Sequence, residues 1–291
     1  MSLKININGK KYEAETGEYI LDVCHRSRIL VPTLCHHESL SGIGTCRLCI
    51  VEVNEGNGNR VVVSCVYPLN RDCVVFTESE KIKRIRKTIL SMLKTRAPAG
   101  DRLASLCQIY GVKEDDRFTP PGTMKKESRI RSRAAKHLEK ACILCGLCAQ
   151  ACASLGSGAG CTAGGAISTT SRGITKKIST PFGEPSADCI GCGSCALVCP
   201  TKAIKCSEGK GHRSIWGKKF KLLSCDSCGK FFATQEEYAY ALGKSNSQGA
   251  GGKTPDPEPG GKAGISGAYF CEACRRKKSA DVFAGAFGSR T

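Results

Sequence analysis

Apolar and polar positions alternate in short runs along the first part of the chain, a pattern typical of strands with one buried face. Two such runs, at residues 4–7 and 11–14, flank the dipeptide Asn8-Gly9, and Asn-Gly between alternating runs is the strongest short signal for a hairpin. Apolar residues at helical spacing over 20–24 then predict a helix, which Pro32 ends at or before Val31.

Two further apolar runs predict a second pair of strands at residues 48–53 and 60–65, with Gly56-Asn57-Gly58 as the turn between them. The order strand, strand, helix, strand, strand is that of a β-grasp ferredoxin. We therefore expect a β-grasp domain over residues 1–78.

The pattern changes to a helical period after residue 78. Ile82, Ile85, Ile89 and Leu93 predict one amphipathic helix with lysine and arginine on its other face, and a second apolar face over 103–110 is closed by a glycine. Residues 113–140 are polar and basic, which suits either a segment lying over a partner or a solvated linker. We expect residues 79–135 to form a helical and basic connecting segment.

Two cysteine runs carry the strongest chemical signal, since residues 142–152 and 189–199 both have the spacing C-x2-C-x2-C-x3-C. This spacing places three thiolates on one iron–sulfur cluster and sends the fourth to the neighbouring cluster. By this rule one 4Fe–4S cluster is expected on Cys142, Cys145, Cys148 and Cys199, and a second on Cys189, Cys192, Cys195 and Cys152. A disulfide framework suits short secreted chains, and zinc takes separated cysteine pairs, so both alternatives are disfavoured. The runs resemble the bacterial two-cluster ferredoxin, and we expect such a domain over residues 136–210.

Four cysteines of the first domain have the spacing Cys35-x10-Cys46-x2-Cys49-x15-Cys65, which is not that of plant-type ferredoxins. The run from Gly44 to Val53 resembles the 2Fe–2S domain at the front of the large iron–sulfur subunit of respiratory complex I. The same domain opens the diaphorase subunits of NAD-linked hydrogenases and formate dehydrogenases. The resemblance implies that these four cysteines bind a 2Fe–2S cluster, and a zinc site on the same residues is the alternative.

In those relatives the helical segment binds one more 4Fe–4S cluster through one histidine and three cysteines. This chain has no histidine there and only Cys107, so we do not expect that cluster. Electrons are then expected to pass directly between the 2Fe–2S domain and the paired clusters.

The C-terminal part, residues 211–291, contains two C-x2-C pairs separated by a glycine- and proline-rich insert. Two pairs in this arrangement predict a zinc-ribbon-like element with Cys225, Cys228, Cys271 and Cys274 as ligands. A third 4Fe–4S cluster is the competing assignment, because four thiolates also suit iron.

Five cysteines remain outside these sets and are expected to be packing residues, namely Cys24, Cys73, Cys107, Cys161 and Cys206. His36 and His37 follow a predicted ligand, where either a hydrogen bond toward the cluster or a solvent-facing ring is expected. The glycine run 156–160 favours close approach of the backbone to a cluster over a dinucleotide-binding loop, since it does not follow a buried strand.

The formal net charge is +18 with every cysteine neutral. Sixteen metal-bound thiolates and their metal ions would together contribute a charge of roughly −8. The net charge of the metal-bound protein would then be about +10. That excess suits an acidic partner surface and would equally suit nucleic acid. The chain begins without an apolar signal segment and has no stretch long enough to span a membrane, and its available thiolates favour a reducing compartment, so we expect a cytoplasmic protein.

The sequence thus predicts an α+β electron-transfer subunit with one 2Fe–2S cluster, two 4Fe–4S clusters and one zinc ion. We find no flavin or NAD site and no acid–base or nucleophilic constellation, so the chain is not expected to be catalytic. The resemblance implies a hetero-oligomer with a flavin/NAD(P)-binding diaphorase subunit and a catalytic redox subunit such as a hydrogenase or formate dehydrogenase, and with ferredoxin if the complex bifurcates electrons. The alternatives are a stand-alone ferredoxin-like carrier, a small catalytic subunit with an additional metal, and a redox-sensing nucleic-acid-binding protein. The last ranks lowest because interleaved aromatic residues and a recognition helix are missing.

Overall fold

The structure is a computed structural model that describes residues 2–98, 100–113, 141–156, 165–247 and 269–277. Several features predicted above lie outside these ranges: the basic segment after Lys113, the glycine run after Gly156, Cys161, and most of the glycine- and proline-rich insert. Within the described ranges, no helix is both long enough and apolar enough to cross a membrane.

The N-terminal domain is a five-stranded mixed sheet covered by one helix. Its elements are β1 Ser2–Ile7, β2 Lys10–Glu15, α1 Ile20–Arg26, β3 Ile50–Asn54, β4 Asn59–Val63 and β5 Cys73–Phe76. The strand order is β2-β1-β5-β3-β4. Side chains from both α1 and the strands form one apolar core, in which Ile5, Leu21, Val51 and Val75 are almost completely buried.

The predicted first hairpin is confirmed. Ile7 lies opposite Lys10 in the β1–β2 register, so Asn8 and Gly9 alone form the turn. Their φ angles of 51° and 87° are the left-handed values that a type I′ turn requires. The Asn8 side-chain amide also bonds Thr77, directly after β5, which ties the turn to the end of the neighbouring parallel strand.

Strand β5 is an addition to the four predicted strands. It lies in the middle of the sheet, parallel to β1 with Ile5 opposite Cys73 and antiparallel to β3 with Val53 opposite Val75. The central strand β5 therefore joins the β1–β2 hairpin to the β3–β4 hairpin in one sheet.

Two helices follow the sheet, as predicted. The first is α2 Glu80–Arg96, with the Ser79 hydroxyl capping its N-terminus by accepting from the Ile82 amide, and the second is α3 Asp101–Ile109. The buried face of α2 differs from the expected one because it contains Arg86, whose side chain is fully buried. The prediction that all basic residues of this helix lie on the exposed face was wrong, since Arg86 finds enough acceptors inside the protein to replace water.

The region of the two cysteine runs contains little regular structure. Its elements are α4 Leu147–Gly156, the strands β6 Ser168–Thr170 and β7 Lys177–Ser179, and the short helix α5 Ser194–Leu197. Strands β6 and β7 pair antiparallel as a small hairpin. The remaining backbone of this region forms the loops that carry the cysteines.

A second sheet follows the region of the two cysteine runs. It consists of β8 Cys206–Gly209, β9 His212–Ile215, β10 Lys218–Ser224 and β11 Phe231–Thr234, in the order β11-β10-β9-β8, followed by α6 Gln235–Ser247. The predicted domain boundary between residues 210 and 211 falls in the turn between β8 and β9, which are paired.

The cysteines outside the predicted ligand sets differ in their surroundings. Cys24, Cys73 and Cys107 are buried, as expected of packing residues. Cys206 is exposed, because it begins the edge strand β8, all four residues of which face solvent. The expectation that Cys206 is a packing residue was therefore wrong.

Candidate iron–sulfur and metal centres

The four cysteines predicted to bind the 2Fe–2S cluster lie together at one end of the N-terminal domain. Cys35 is in the loop after α1, Cys46 and Cys49 precede β3, and Cys65 is in the single helical turn after β4. All four are at most 5% exposed. The Cys46 amide donates to the Cys35 sulfur over 3.2 Å, and the sulfur atoms of Cys49 and Cys65 are 3.3 Å apart.

Hydrogen bonds within this group polarise the thiols. A side-chain hydrogen bond from Cys46 lowers the pKa of Cys35 to about 5, and one from Cys65 lowers the pKa of Cys49 to about 7. These hydrogen bonds favour the thiolate form of Cys35 and Cys49, and the thiolate is the form that binds metal.

Arg86 of α2 holds the loop that carries Cys49. Its guanidinium donates to the carbonyl oxygens of Leu48 at 2.9 Å and Ile50 at 2.8 Å, the residues on either side of Cys49. The same side chain bonds Glu78 and the Tyr110 hydroxyl. Arg86 was not identified from the sequence, where it resembles any other basic residue of an amphipathic helix.

The cysteines of the two runs surround two separate cavities. Cys142, Cys145, Cys148 and Cys199 line the first, and Cys152, Cys189, Cys192 and Cys195 line the second. In both cavities, three sulfurs come from one run and the fourth from the other run. We name them the first and second cysteine cavities.

Several features of these cavities fit a metal–sulfur cluster. Backbone amides point at the sulfurs, with Ala203 donating to Cys199 and Ala166 to Cys152, both over 3.2 Å. At Gly165, where φ is +76°, a Cβ atom would lie only 3.0 Å from the Cys152 sulfur, so the backbone can approach that sulfur only without a side chain.

Burial raises the pKa of Cys145 and of Cys195 to about 12. Neutral thiols are thus favoured there unless a strong positive charge lies between them. A metal–sulfur cluster bound within the cavities would supply that charge, and the four cysteines of each cavity would then bind it as thiolates.

The two ligand-bearing regions contact each other directly. The Thr45 hydroxyl, next to Cys46, donates to the Cys145 carbonyl over 2.8 Å, and the Gln150 amide donates to the Ser41 carbonyl over 3.1 Å. Cys35, Cys46 and Cys145 belong to one buried apolar cluster. At this contact, the loop that carries Cys46 lies directly against the loop that carries Cys145, which lines the first cysteine cavity.

The four C-terminal cysteines also come together. The sulfurs of Cys225, Cys228, Cys271 and Cys274 all lie within 4.8 Å of one another, and those of Cys228 and Cys271 are 3.7 Å apart. Thiolates bound to one tetrahedral ion at about 2.3 Å lie about 3.8 Å apart, which matches the latter distance. Backbone hydrogen bonding, mainly from Cys271, lowers the pKa of Cys225 to about 6.

The histidines after Cys35 have other neighbours. The His37 ring accepts from the Ser39 amide, and the His36 ring packs edge-on against His25 with centroids 5.3 Å apart. Burial is the main cause that lowers the pKa of His36. A hydrogen bond from either ring to a cluster stays a prediction.

Comparison with known proteins identifies the two domains that carry the first twelve of these cysteines. Residues 1–80 match the family model of the 2Fe-2S iron-sulfur cluster binding domain, and residues 141–203 match that of the 4Fe-4S dicluster domain. The chain contains two iron–sulfur domains of the ferredoxin type. Its fold combines helices and strands in a 2Fe–2S and a 4Fe–4S ferredoxin domain, as predicted.

Three relatives extend the similarity across both domains. The chain is 32% identical over 231 residues to the NADP-reducing hydrogenase subunit HndD of Solidesulfovibrio fructosivorans, an alignment that covers 74% of this chain and 37% of that protein. It is 30% identical over 233 residues to the NADPH-Fe(3+) oxidoreductase subunit alpha of Geobacter sulfurreducens, with 78% and 26% covered. It is 26% identical over 238 residues to an NADH-quinone oxidoreductase subunit of Rhizobium meliloti, with 78% and 27% covered.

The resemblance inferred from the cysteine motifs is thereby confirmed for this iron–sulfur protein. The chain spans between 26% and 37% of the length of these three relatives.

Proposed function

We propose that this iron–sulfur protein relays electrons through three centres between two other subunits of an NAD(P)-linked oxidoreductase complex. Clusters bound at the cysteines supply one-electron transfer. The residues of the chain hold the thiolates, exclude water from them and keep the centres adjacent. The ligand sets are Cys35, Cys46, Cys49 and Cys65 for the 2Fe–2S cluster and the two sets of four that line the cysteine cavities for the 4Fe–4S clusters.

The observation that carries this proposal is the direct contact between Thr45 and Cys145. Thr45 precedes the predicted 2Fe–2S ligand Cys46, and Cys145 is a predicted 4Fe–4S ligand. A path of covalent bonds and one hydrogen bond therefore connects the two domains. The crossed ligand sets keep the first and second cysteine cavities adjacent in the same way, since Cys148 and Cys152 lie on one helix but line different cavities. Three neighbouring centres in a row form a relay.

The partners are proposed from the relatives. HndD is named as a subunit of an NADP-reducing hydrogenase, and the Geobacter protein as a subunit of an NADPH-Fe(3+) oxidoreductase. We propose a flavin/NAD(P)-binding diaphorase subunit at one end of the relay and a catalytic redox subunit at the other, in the cytoplasm. A stand-alone carrier is less well supported, because the helices and the C-terminal sheet add surface that a diffusing carrier does not need.

For the C-terminal cysteines we propose one zinc ion. The short sulfur–sulfur distances support a single tetrahedral ion, since a 4Fe–4S cluster holds its thiolates around a larger body. The ion would join residues 225–228 to residues 271–274 and so fix the end of β10 to the distant C-terminal segment.

The test is anaerobic purification of the tagged full chain from its native host, with identification of the attached subunits. We expect the chain to purify in a complex with other subunits. Addition of NAD(P)H to that complex should reduce the clusters of the chain. Isolation of the chain alone in every preparation would contradict the proposal of a subunit.

A paired variant tests the relay within the complex. Cys49→Ser is expected to remove only the 2Fe–2S paramagnetic signal and to slow electron flow between NAD(P)H and the catalytic partner at least tenfold. The control Cys24→Ser changes a buried cysteine outside the ligand sets. It is expected to leave the 2Fe–2S signal and the rate of electron flow unchanged. Electron flow of normal rate in Cys49→Ser would show that the 2Fe–2S centre is not part of the path.

A further inference from the structure

The turn between β9 and β10 contains a tryptophan in an unusual conformation. Trp216 and Gly217 form this two-residue turn, with φ angles of 52° and 77°. Left-handed φ at both positions is required for a type I′ turn, which favours asparagine, aspartate or glycine at the first of them. A tryptophan there is strained, and such strain persists where the side chain has a role that the surrounding structure maintains.

The Trp216 side chain extends from this turn to the second cysteine cavity. Its indole nitrogen donates a hydrogen bond to the Cys195 sulfur over 3.3 Å, and the ring lines the same cavity as the four cysteines. Cys195 is itself buried. The residue lies in the C-terminal sheet, so this sheet contributes directly to the surroundings of a predicted cluster ligand.

The rest of the sheet holds the loop that carries Cys189 and Cys192, two of the other three cysteines of this cavity. The Lys218 ammonium donates to the carbonyls of Ala187 and Cys189, and the Thr234 hydroxyl donates to the Ile190 carbonyl over 2.6 Å. Phe220 packs so closely under Gly191 that an added Cβ there would lie 2.6 Å from its ring. The indole is therefore fixed relative to the sulfur that it contacts.

We propose that Trp216 is a positioning residue that raises the midpoint potential of the 4Fe–4S cluster in the second cysteine cavity through its N–H···S hydrogen bond to Cys195. This inference rests on the proposed function. Reduction adds one electron to the cluster and makes the sulfurs more negative, so a donor aimed at a sulfur stabilises the reduced state more than the oxidised state. The hydrogen bond makes this centre easier to reduce, and hence a better electron acceptor within the relay.

The test is a redox titration of the anaerobically purified full chain, followed by electron paramagnetic resonance with dithionite as reductant. In Trp216→Phe, one of the two 4Fe–4S midpoint potentials is expected to fall while the other and that of the 2Fe–2S centre do not change. Trp216 is the only tryptophan. Replacing tryptophan throughout by benzothienylalanine therefore removes this N–H alone while keeping the bicyclic shape, and the same fall is expected.

The matched control is Thr201→Val. The Thr201 hydroxyl lies 3.8 Å from the sulfur of Cys199, in the first cysteine cavity. This variant is expected to leave unchanged the potential that falls in Trp216→Phe. A fall of the same potential in both variants would indicate general loosening and would overturn the inference.

The outcomes separate this inference from the proposed function. If the unmodified chain binds its full complement of iron and neither Trp216 replacement moves a potential, the inference alone fails. If the unmodified chain shows no 4Fe–4S signals, the proposed function fails.

Discussion

The N-terminal domain and the region of the two cysteine cavities hold their predicted ligands in different ways. In the N-terminal domain, five strands and a helix build a core of fifteen buried residues, of which only Cys49 and Cys65 are predicted ligands. Around the cysteine cavities, two of the seven residues of the buried apolar cluster are themselves predicted ligands, Cys148 and Cys195. Three more predicted ligands, Cys142, Cys152 and Cys189, pack against that cluster.

This difference indicates what each region requires in order to fold. A sheet with a complete apolar core is stable before metal binds, whereas a small region whose core consists partly of ligands gains its stability from the metal. We therefore expect the first region to fold before a cluster binds, and the second region to reach its full fold only with its clusters bound.

Removal of iron is expected to have the largest effect and to affect the two regions unequally. In the iron-free chain, hydrogen exchange should become fast over residues 141–156 and 165–204, because the metal-linked core is lost. Strands β1, β3 and β5 should remain protected by their own core. Hydrogen exchange with mass spectrometry measures the protection of both regions in one sample. Equal loss of protection in the two regions would contradict the expected difference in their dependence on metal.

Arg86→Met is expected to give the next largest effect, within the N-terminal domain. The substitution leaves the carbonyls of Leu48 and Ile50 without their donor and should destabilise the Cys49 loop by about 3 kcal/mol. The measurement is a urea titration that follows the visible circular dichroism of the 2Fe–2S cluster.

The control for Arg86→Met is Arg84→Met, an exposed position on the same helix. It should change stability by less than about 0.5 kcal/mol. Equal effects of the two substitutions would show that burial of Arg86 does not support the cluster loop.

Two glycines with left-handed φ provide a smaller contrast between the regions. Alanine at Gly9 meets no atom within 4 Å, so Gly9→Ala should cost only the backbone strain of about 1–2 kcal/mol. Alanine at Gly165 would in addition crowd the backbone and sulfur of Cys152, so Gly165→Ala should lower 4Fe–4S occupancy. Iron analysis and paramagnetic resonance of both variants test this, and full occupancy in Gly165→Ala would contradict the close approach.

Thr45→Val is expected to have the smallest effect, because it removes a single hydrogen bond between the regions, worth about 1 kcal/mol. Hydrogen exchange should rise over residues 142–148 while the 2Fe–2S signal stays. The control is Thr88→Val, which removes a hydroxyl that donates only to the Arg84 carbonyl of its own helix. Hydrogen exchange at residues 142–148 should not change in this control.

The sequence predicted those features that depend on local spacing. The Asn8-Gly9 turn, the crossed arrangement of the cysteine runs and the meeting of the two C-terminal cysteine pairs all follow from short motifs with strict geometry. Strand β5 was missed because it has only four residues and its partners are β1 and β3, both distant in sequence.

Residues whose role depends on tertiary contact were also missed. Arg86 looks like a surface residue until the carbonyls of another segment surround it, and Trp216 has no motif beyond its place before a glycine. Thr45 was not singled out from the sequence, although it makes the contact that joins the two domains. Helical spacing alone placed Ile85 and Ile89 on the buried face, where Arg86 and Leu90 are more deeply buried.

The most direct test of the three-centre relay is metal and sulfide analysis of the full chain purified anaerobically, combined with paramagnetic resonance. One two-iron cluster and two four-iron clusters predict about ten iron and about ten sulfide per chain, with about one zinc. Two 4Fe–4S signals that interact magnetically, together with one 2Fe–2S signal, are expected on reduction. Zinc with little iron, or iron sufficient for only one kind of cluster, would contradict the account.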